Sequence, residues 1–204
     1  MWSRFVYILF GLVLFVTFTA RAEGGDASRE QAFFQQNKVL IVYLSRTQNT
    51  KAVADMIQRH TKGDLVSIEL VKPYPNNYRE TVEQVRQENE SNYLPELKTR
   101  IENIEHYDTV FVGFPTWGMQ LPPPMKSFLR SYSLANKTVI PFNTNAGHGV
   151  GSSFEQVIQL CEGCNVRQGI SLVGGAERDG KFLEIKQQRA KDVEAEVLKW
   201  LASL

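Results

Sequence analysis

Three short stretches of the 204-residue chain carry side chains whose types and spacing could do chemistry. The first is Ser45-Arg46-Thr47-Gln48-Asn49-Thr50, set between an apolar run and an amphipathic one. It offers hydroxyls, an amide and the backbone N–H groups of a helix start, a set of uncharged donors that suits a phosphate. It lacks the Gly-Lys-Ser/Thr of a Walker loop and any glycine for a dinucleotide fingerprint. Taken alone it reads first as a helix start capped by Ser45 or Thr47. The second stretch is Pro115-Thr116-Trp117-Gly118, continued by Met119, Gln120, Leu121 and three prolines. The prolines stiffen the loop and open a helix. Trp117 offers a flat face for stacking, with packing on that helix as the alternative. Gly118 admits a positive φ. The third stretch holds Thr144, Asn145, Gly147, His148, Gly149 and Gly151. Its alternate glycines let backbone approach a planar ring and turn amides to the ring's polar edge. The spacing imitates G-x-G-x-x-G, but Ser152 takes the last glycine's place and no acidic residue closes the next strand, which rules out a dinucleotide site.

The elements between these stretches determine whether they meet. Residues 38–44 (KVLIVYL) form a continuous apolar run, the pattern of a strand buried on both faces. Helical spacing follows over 49–61, then an alternating strand over 65–70 and a polar, solvated helix over 79–90. Strands are expected at 107–114, 137–142 and 166–173, and helices at 123–132, 153–161 and 186–204. Repeated strand–helix units predict an α/β fold, an open doubly wound parallel sheet of five strands with helices on both faces. Five units are too few for an eight-fold barrel. In open sheets of this kind ligands bind beyond the carboxyl ends of the strands, which is where all three stretches would fall. Together they describe a ligand with one phosphate and a flat heteroaromatic head, and FMN fits that description better than a dinucleotide.

Composition narrows the function. The chain has 23 Lys+Arg against 22 Asp+Glu, so it lacks the basic field that nucleic-acid binding requires. Two cysteines cannot build a disulfide scaffold, and three dispersed histidines do not form a zinc cluster; His60 and His106 read as structural or exposed. Residues 1–22 have the layout of a secretory signal peptide: a short basic start, a charge-free run over 5–20, and Ala20-Arg21-Ala22. An uncleaved signal anchor is the alternative, though the run is short for a membrane span. The expected organisation is a signal peptide (1–22), a linker or packed-back arm carrying Phe33 and Phe34 (23–37) and one globular domain (38–204), exported to the periplasm or beyond with no stable membrane insertion after cleavage. Cys161-Glu162-Gly163-Cys164 is a C-x-x-C pair. A structural disulfide, a redox-active pair and two free thiols are all open; oxidising surroundings favour the first. A position at a helix end disfavours the second.

Three strings resemble the flavodoxin family, and in particular a branch bearing signal peptides: KVLIVYLSRTQNT, YDTVFVGFPTWGMQLPPPMKSFL and KTVIPFNTNAGHGVGSSFEQVIQLC. The KPYPNNYRE segment resembles that branch too, and the likeness covers about residues 38–203. The resemblance implies strand order 2-1-3-4-5 and bound FMN. Ser45, Thr47, Asn49 and Thr50 would hold the phosphate, with Arg46 and Gln48 in the same loop. Pro115, Thr116, Trp117 and Gly118 would line the ring, and Thr144, Asn145, Gly147, His148 and Gly149 would approach its other side. Many flavodoxins carry glycine where Gln48 stands. The strongly acidic surface of cytoplasmic flavodoxins is absent, which separates this chain from their usual basic partners. The implied activity is electron transfer, as an FMN-bearing carrier serving a redox partner protein or a small-molecule acceptor. A flavin-dependent NAD(P)H or quinone reductase is the alternative, and no second nucleotide signature is present. In either case the flavin supplies the redox chemistry and the protein supplies binding and electrostatics.

Overall fold

A computed structural model describes Phe34 and residues 37–204. The expected targeting segment and, apart from Phe34 and Asn37, the expected linker lie outside the described residues. No helix among the described residues is long and apolar enough to cross a membrane.

The chain alternates strand and helix: β1 (Val39–Tyr43), α1 (Asn49–Thr61), β2 (Asp64–Ser67), α2 (Tyr78–Ser91), β3 (Thr109–Pro115), α3 (Pro123–Ser131), β4 (Thr138–Asn145), α4 (Ser153–Leu160), β5 (Asn165–Val166), β6 (Ile170–Val173) and α5 (Gln187–Leu201). All strand pairings within the sheet are parallel, in the order β2-β1-β3-β4-β5, with β6 continuing beside β4. This is the 2-1-3-4-5 order that the resemblance implied. The pleat sorts the apolar runs into two cores. Ile41, Phe111, Ile140 and Phe142 face Val53, Met56 and Ile57 of α1 and Val193, Val197 and Trp200 of α5. Leu40, Val42, Val110, Val112 and Phe114 face Met125 and Phe128 of α3 and Val157 of α4. Both faces are therefore covered, as an all-parallel sheet requires. Phe34 joins the first core at 6.0 Å from the Phe111 ring.

Two strands differ from the sequence expectation. The second strand ends at Ser67 instead of running to residue 70, because the chain peels away and Leu70 bridges Leu97 in antiparallel fashion, closing the excursion that carries α2. The fifth strand is broken. Arg167 N–H donates to the Val139 carbonyl at 2.9 Å, so Val139 and, two residues on, Pro141 present their backbone groups to the outer edge. Proline has no N–H to give there. The outer strand bulges past it: Val139 pairs with Val166, and pairing resumes with Phe142 opposite Ile170. Gly169 passes close to Pro141, and a Cβ added there would lie 2.6 Å from the Pro141 carbonyl oxygen.

Cys161 and Cys164 form a disulfide at the end of α4. Asn136 N–H donates to the carbonyl of Gly163 between them at 2.9 Å, which puts the bridge beside the amino end of β4. Of the three readings of the C-x-x-C pair, the structure takes the disulfide, at the sheet edge opposite the three loops.

Candidate cofactor site

The loops after β1, β3 and β4 meet at the carboxyl edge of the sheet around a cleft of about 480 Å³. Of the residues singled out from sequence, Arg46, Thr47, Asn49, Thr50, Pro115, Thr116, Trp117, Gly118, Thr144 and Asn145 line it. Ser45, Gln48, Gly147, His148 and Gly149 are not among the lining residues.

Gln48 precedes α1 with φ 67°, in the left-handed region. That is the backbone state that favours glycine, and Gln48 adopts it with a side chain in place. Gln48 is the N-cap and makes no capping bond through its side chain, so the expected capping by Ser45 or Thr47 takes another form: Ser45 Oγ accepts from Lys51 N–H at 3.2 Å. Ala52 N–H bonds back to Gln48 O. The backbone N–H groups of Thr47, Gln48, Asn49 and Thr50 have no acceptor among the described residues. Four successive amides opening a thirteen-residue helix make an anion cradle.

Two side chains of this loop are spent within the protein. Asn49, 2% exposed, donates through Nδ2 to Phe182 O (2.6 Å) and Thr47 Oγ1 (2.9 Å) and accepts at Oδ1 from Glu184 N–H (3.0 Å) and Ile185 N–H (3.1 Å). It fastens the strap between β6 and α5 across the start of α1. Arg46 donates through Nε to both oxygens of Glu177 and through its two Nη atoms to Pro75 O and Asn76 O. Its charge is balanced inside the wall. Thr50 Oγ1 lies 2.8 Å from Thr144 Oγ1 and joins the first loop to the third.

The second loop is a tight turn. Trp117 and Gln120 exchange backbone hydrogen bonds, with Gly118 at φ 57° and Met119 at φ 59° between them. Consecutive left-handed residues define a type I′ turn, strained at Met119. Trp117 is half-buried and meets Tyr74 edge-on at 5.2 Å between ring centroids. Tyr74 donates to buried Glu88, which also accepts from Gln84 Nε2 at 2.8 Å. Burial, then the Glu88 carboxylate, holds the Tyr74 phenol far above its ordinary range.

The third loop hangs from a buried polar network. Asn143, fully buried, donates to Phe114 O and Thr116 Oγ1 and accepts from Ser171 Oγ (2.9 Å). Asn145 Oδ1 accepts from both Gly147 N–H (2.8 Å) and Gly149 N–H (3.1 Å). The glycines adopt positive φ, 94° and 83°. Their amides, expected to face a ligand, turn inward to Asn145 instead, because a buried carboxamide reaches them first. His148 is exposed at the loop tip.

The remaining wall was not legible as part of a site. Thr81, Val82, Val85, Arg86 and Asn89 of α2 line the cleft with Tyr78 and Glu90. The spacing 81, 82, 85, 86, 89 is one helical face, and Val82-Val85 is its apolar pair. The signal was present, but a helix read as solvated from its many charges gives no reason to place that face over a ligand. Gly174, Gly175 and Glu177 complete the cleft after β6.

The flavodoxin family profile matches residues 38–185, well over half the chain. No curated protein matches. Among solved structures, a protein from Bacteroides eggerthii DSM 20697 described as a flavoprotein is 27% identical, with a TM-score of 0.65 over 82% of this chain and 97% of that one. A Bacteroides uniformis ATCC 8492 protein described in the same way is 24% identical, with a TM-score of 0.65 over 81% and 97%. A Lactobacillus acidophilus NCFM flavoprotein in complex with FMN is 22% identical, with a TM-score of 0.61 over 66% and 93%. With the profile spanning all three loops of the cleft and the sheet order that goes with them, this chain belongs to the flavodoxin family.

Proposed function

We propose that the protein binds FMN in the cleft and works as an electron carrier outside the cytoplasm. One observation carries the cofactor assignment: four successive backbone amides, on residues 47–50, have no protein acceptor among the described residues, and Thr47, Asn49 and Thr50 line the cleft. A monoester phosphate supplies the acceptors that this cradle lacks. The nearest guanidinium, Arg46, is committed to Glu177, so the phosphate would be held by neutral donors and would keep its charge near the ring. The half-buried Trp117, the left-handed turn beside it and the apolar Val82-Val85 face bound a slot suited to a flat ring. When bound, the flavin supplies the redox chemistry. Thr47, Asn49 and Thr50 present backbone donors to its phosphate, Thr50 and Thr144 fix the spacing between two loops, and Trp117 with α2 keeps water from the ring faces.

Export is supported by the signal-like layout of residues 1–22 and by the Cys161–Cys164 disulfide, a bond favoured in oxidising compartments. A flavin-dependent reductase is a second reading, favoured by the α2 wall, which extends the cleft beyond the three loops.

The test is a titration of the apoprotein with FMN and riboflavin, followed by flavin absorbance and Trp fluorescence. FMN is expected to bind stoichiometrically and riboflavin much more weakly. Failure to take up FMN would sink the assignment. NAD(P)H oxidation with a quinone separates the reductase from the carrier, and the N-terminal sequence of the native protein tests export.

A further inference from the structure

Lys126 stands in the first turn of α3, a poor place for a cation, because the helix dipole is positive there. It is half-buried and makes no ion pair with a carboxylate among the described residues; burial lowers its pKa. Its ammonium group donates to two neutral amide oxygens, Asn89 Oδ1 at 2.8 Å and Gln120 Oε1 at 3.3 Å. Both amides line the cleft. Gln120 Oε1 also accepts from Gln156 Nε2, so its position is fixed twice.

The contact settles the orientation of Asn89. An ammonium has only donors, so the Asn89 atom facing it is the oxygen and the NH2 group points the other way. That NH2 has no acceptor among the described residues, and it lies 3.8 Å from the position a Cβ on Gly118 would take, at the cleft wall beside the Trp117 turn. A donor without a protein acceptor among the described residues thus stands at the cleft wall, polarised by a cation that costs the fold stability on two counts, burial and dipole. Local rules broken in this way mark functional positions.

We propose that Lys126 and Asn89 form a charge-polarised donor dyad for an acceptor atom on the edge of the flavin ring, and that it favours the reduced, electron-rich ring over the oxidised one. The inference rests on the FMN assignment above. Asn89 Nδ2–H donates to a ring nitrogen or carbonyl oxygen, and Lys126 is the positioning residue that turns and polarises the amide. The bond strengthens as electron density on the acceptor rises. This sets the dyad against the phosphate's charge, which favours the oxidised ring.

The experiment measures the affinity of the full domain for oxidised and, anaerobically, reduced FMN, and the midpoint potential, in wild type and in Asn89→Leu, Lys126→Met, Lys126→Arg and the Asn89→Leu/Lys126→Met double variant. Circular dichroism checks the fold of each. Asn89→Leu and Lys126→Met should each weaken the reduced complex about ten-fold more than the oxidised one, a fall of about 30 mV for a two-electron couple. The double variant should lose little more than either single variant, because the two residues act as one unit. Lys126→Arg should retain most of the wild-type potential. Unchanged potentials in both single variants, with FMN still bound, overturn the dyad alone. Fully additive losses overturn the claim that Lys126 acts through Asn89. A wild-type chain that takes up no FMN overturns the cofactor assignment, and the dyad with it.

Discussion

Arg46 Nε lies 2.9 and 2.8 Å from the two carboxylate oxygens of Glu177, 131 residues further along the chain. The pair is mostly buried, with side chains 20% and 14% exposed, and Arg46 also holds two carbonyls of the segment before α2. The one guanidinium in the first loop is therefore neutralised before any ligand arrives. Glu177→Gln should release it: affinity for FMN is expected to rise several-fold and to become salt-dependent, while riboflavin affinity stays constant. Fluorescence titrations at low and high salt measure this. Equal changes for FMN and riboflavin would show that the effect does not run through the phosphate.

Asn49 closes the strap between β6 and α5 with both ends of its carboxamide. Asn49→Ala strands the Glu184 and Ile185 N–H groups and the Phe182 carbonyl. Buried groups left without partners cost about 1–3 kcal/mol each where water cannot reach them. A loss of about 2–4 kcal/mol in urea unfolding is expected, together with weaker FMN binding as the helix start loosens. A loss under about 1 kcal/mol would mean that the strap holds by other means.

Gly151 governs the distance between the second and third loops. It sits at φ 55°, and a Cβ there would lie 2.1 Å from the Met119 carbonyl oxygen, a backbone atom that cannot step aside without moving the Trp117 turn. Gly151→Ala should cost about 1–3 kcal/mol and reduce FMN affinity at least ten-fold. Gly180→Ala, which also has a positive φ but nothing within 4 Å of the added Cβ, should destabilise the protein with little change in FMN affinity. Matching affinities in the two variants would contradict this account.

Tyr107 and Asp64 tie the amino ends of β3 and β2 through a 2.7 Å hydrogen bond. The Asp64 carboxylate pushes the Tyr107 phenol up to about 12. A folded-state value raised above the unfolded one means stability that is complete below about pH 10 and is lost as pH climbs to about 12. Urea midpoints should fall across that window in the wild type and fall less in Tyr107→Phe. Parallel declines in the two proteins would remove the linkage.

How much of this was legible follows from which residues act locally. The 49–61 helix was readable because Val53, Met56 and Ile57 repeat at helical spacing within one element. The apolar runs announced β1, β3 and β4, but not their division into two cores, since a run such as KVLIVYL hides the alternation of Leu40 from Ile41. The three site loops were legible because strand order places every carboxyl end on one edge. The capture of Asn49 by Phe182 and Glu184 was not, because it joins segments more than 130 residues apart. Neither was the α2 wall: the charges of Glu83, Arg86 and Glu90 satisfy one another on the helix surface, and the neighbouring residues' role depends on where the whole helix docks. The break in the fifth strand had a visible cause, Pro141, but the proline stands in the partner strand, and its effect is felt one strand away.

That break also bears on what the edge of the sheet offers to a neighbouring molecule. The outermost margin of a sheet is a template onto which a neighbouring molecule can add its own strand. Here that margin consists of two residues, a bulge and four more, too short and too kinked for a long run of intermolecular pairing. One pyrrolidine ring inside the sheet thus shortens the backbone ladder that this border offers, from one strand away.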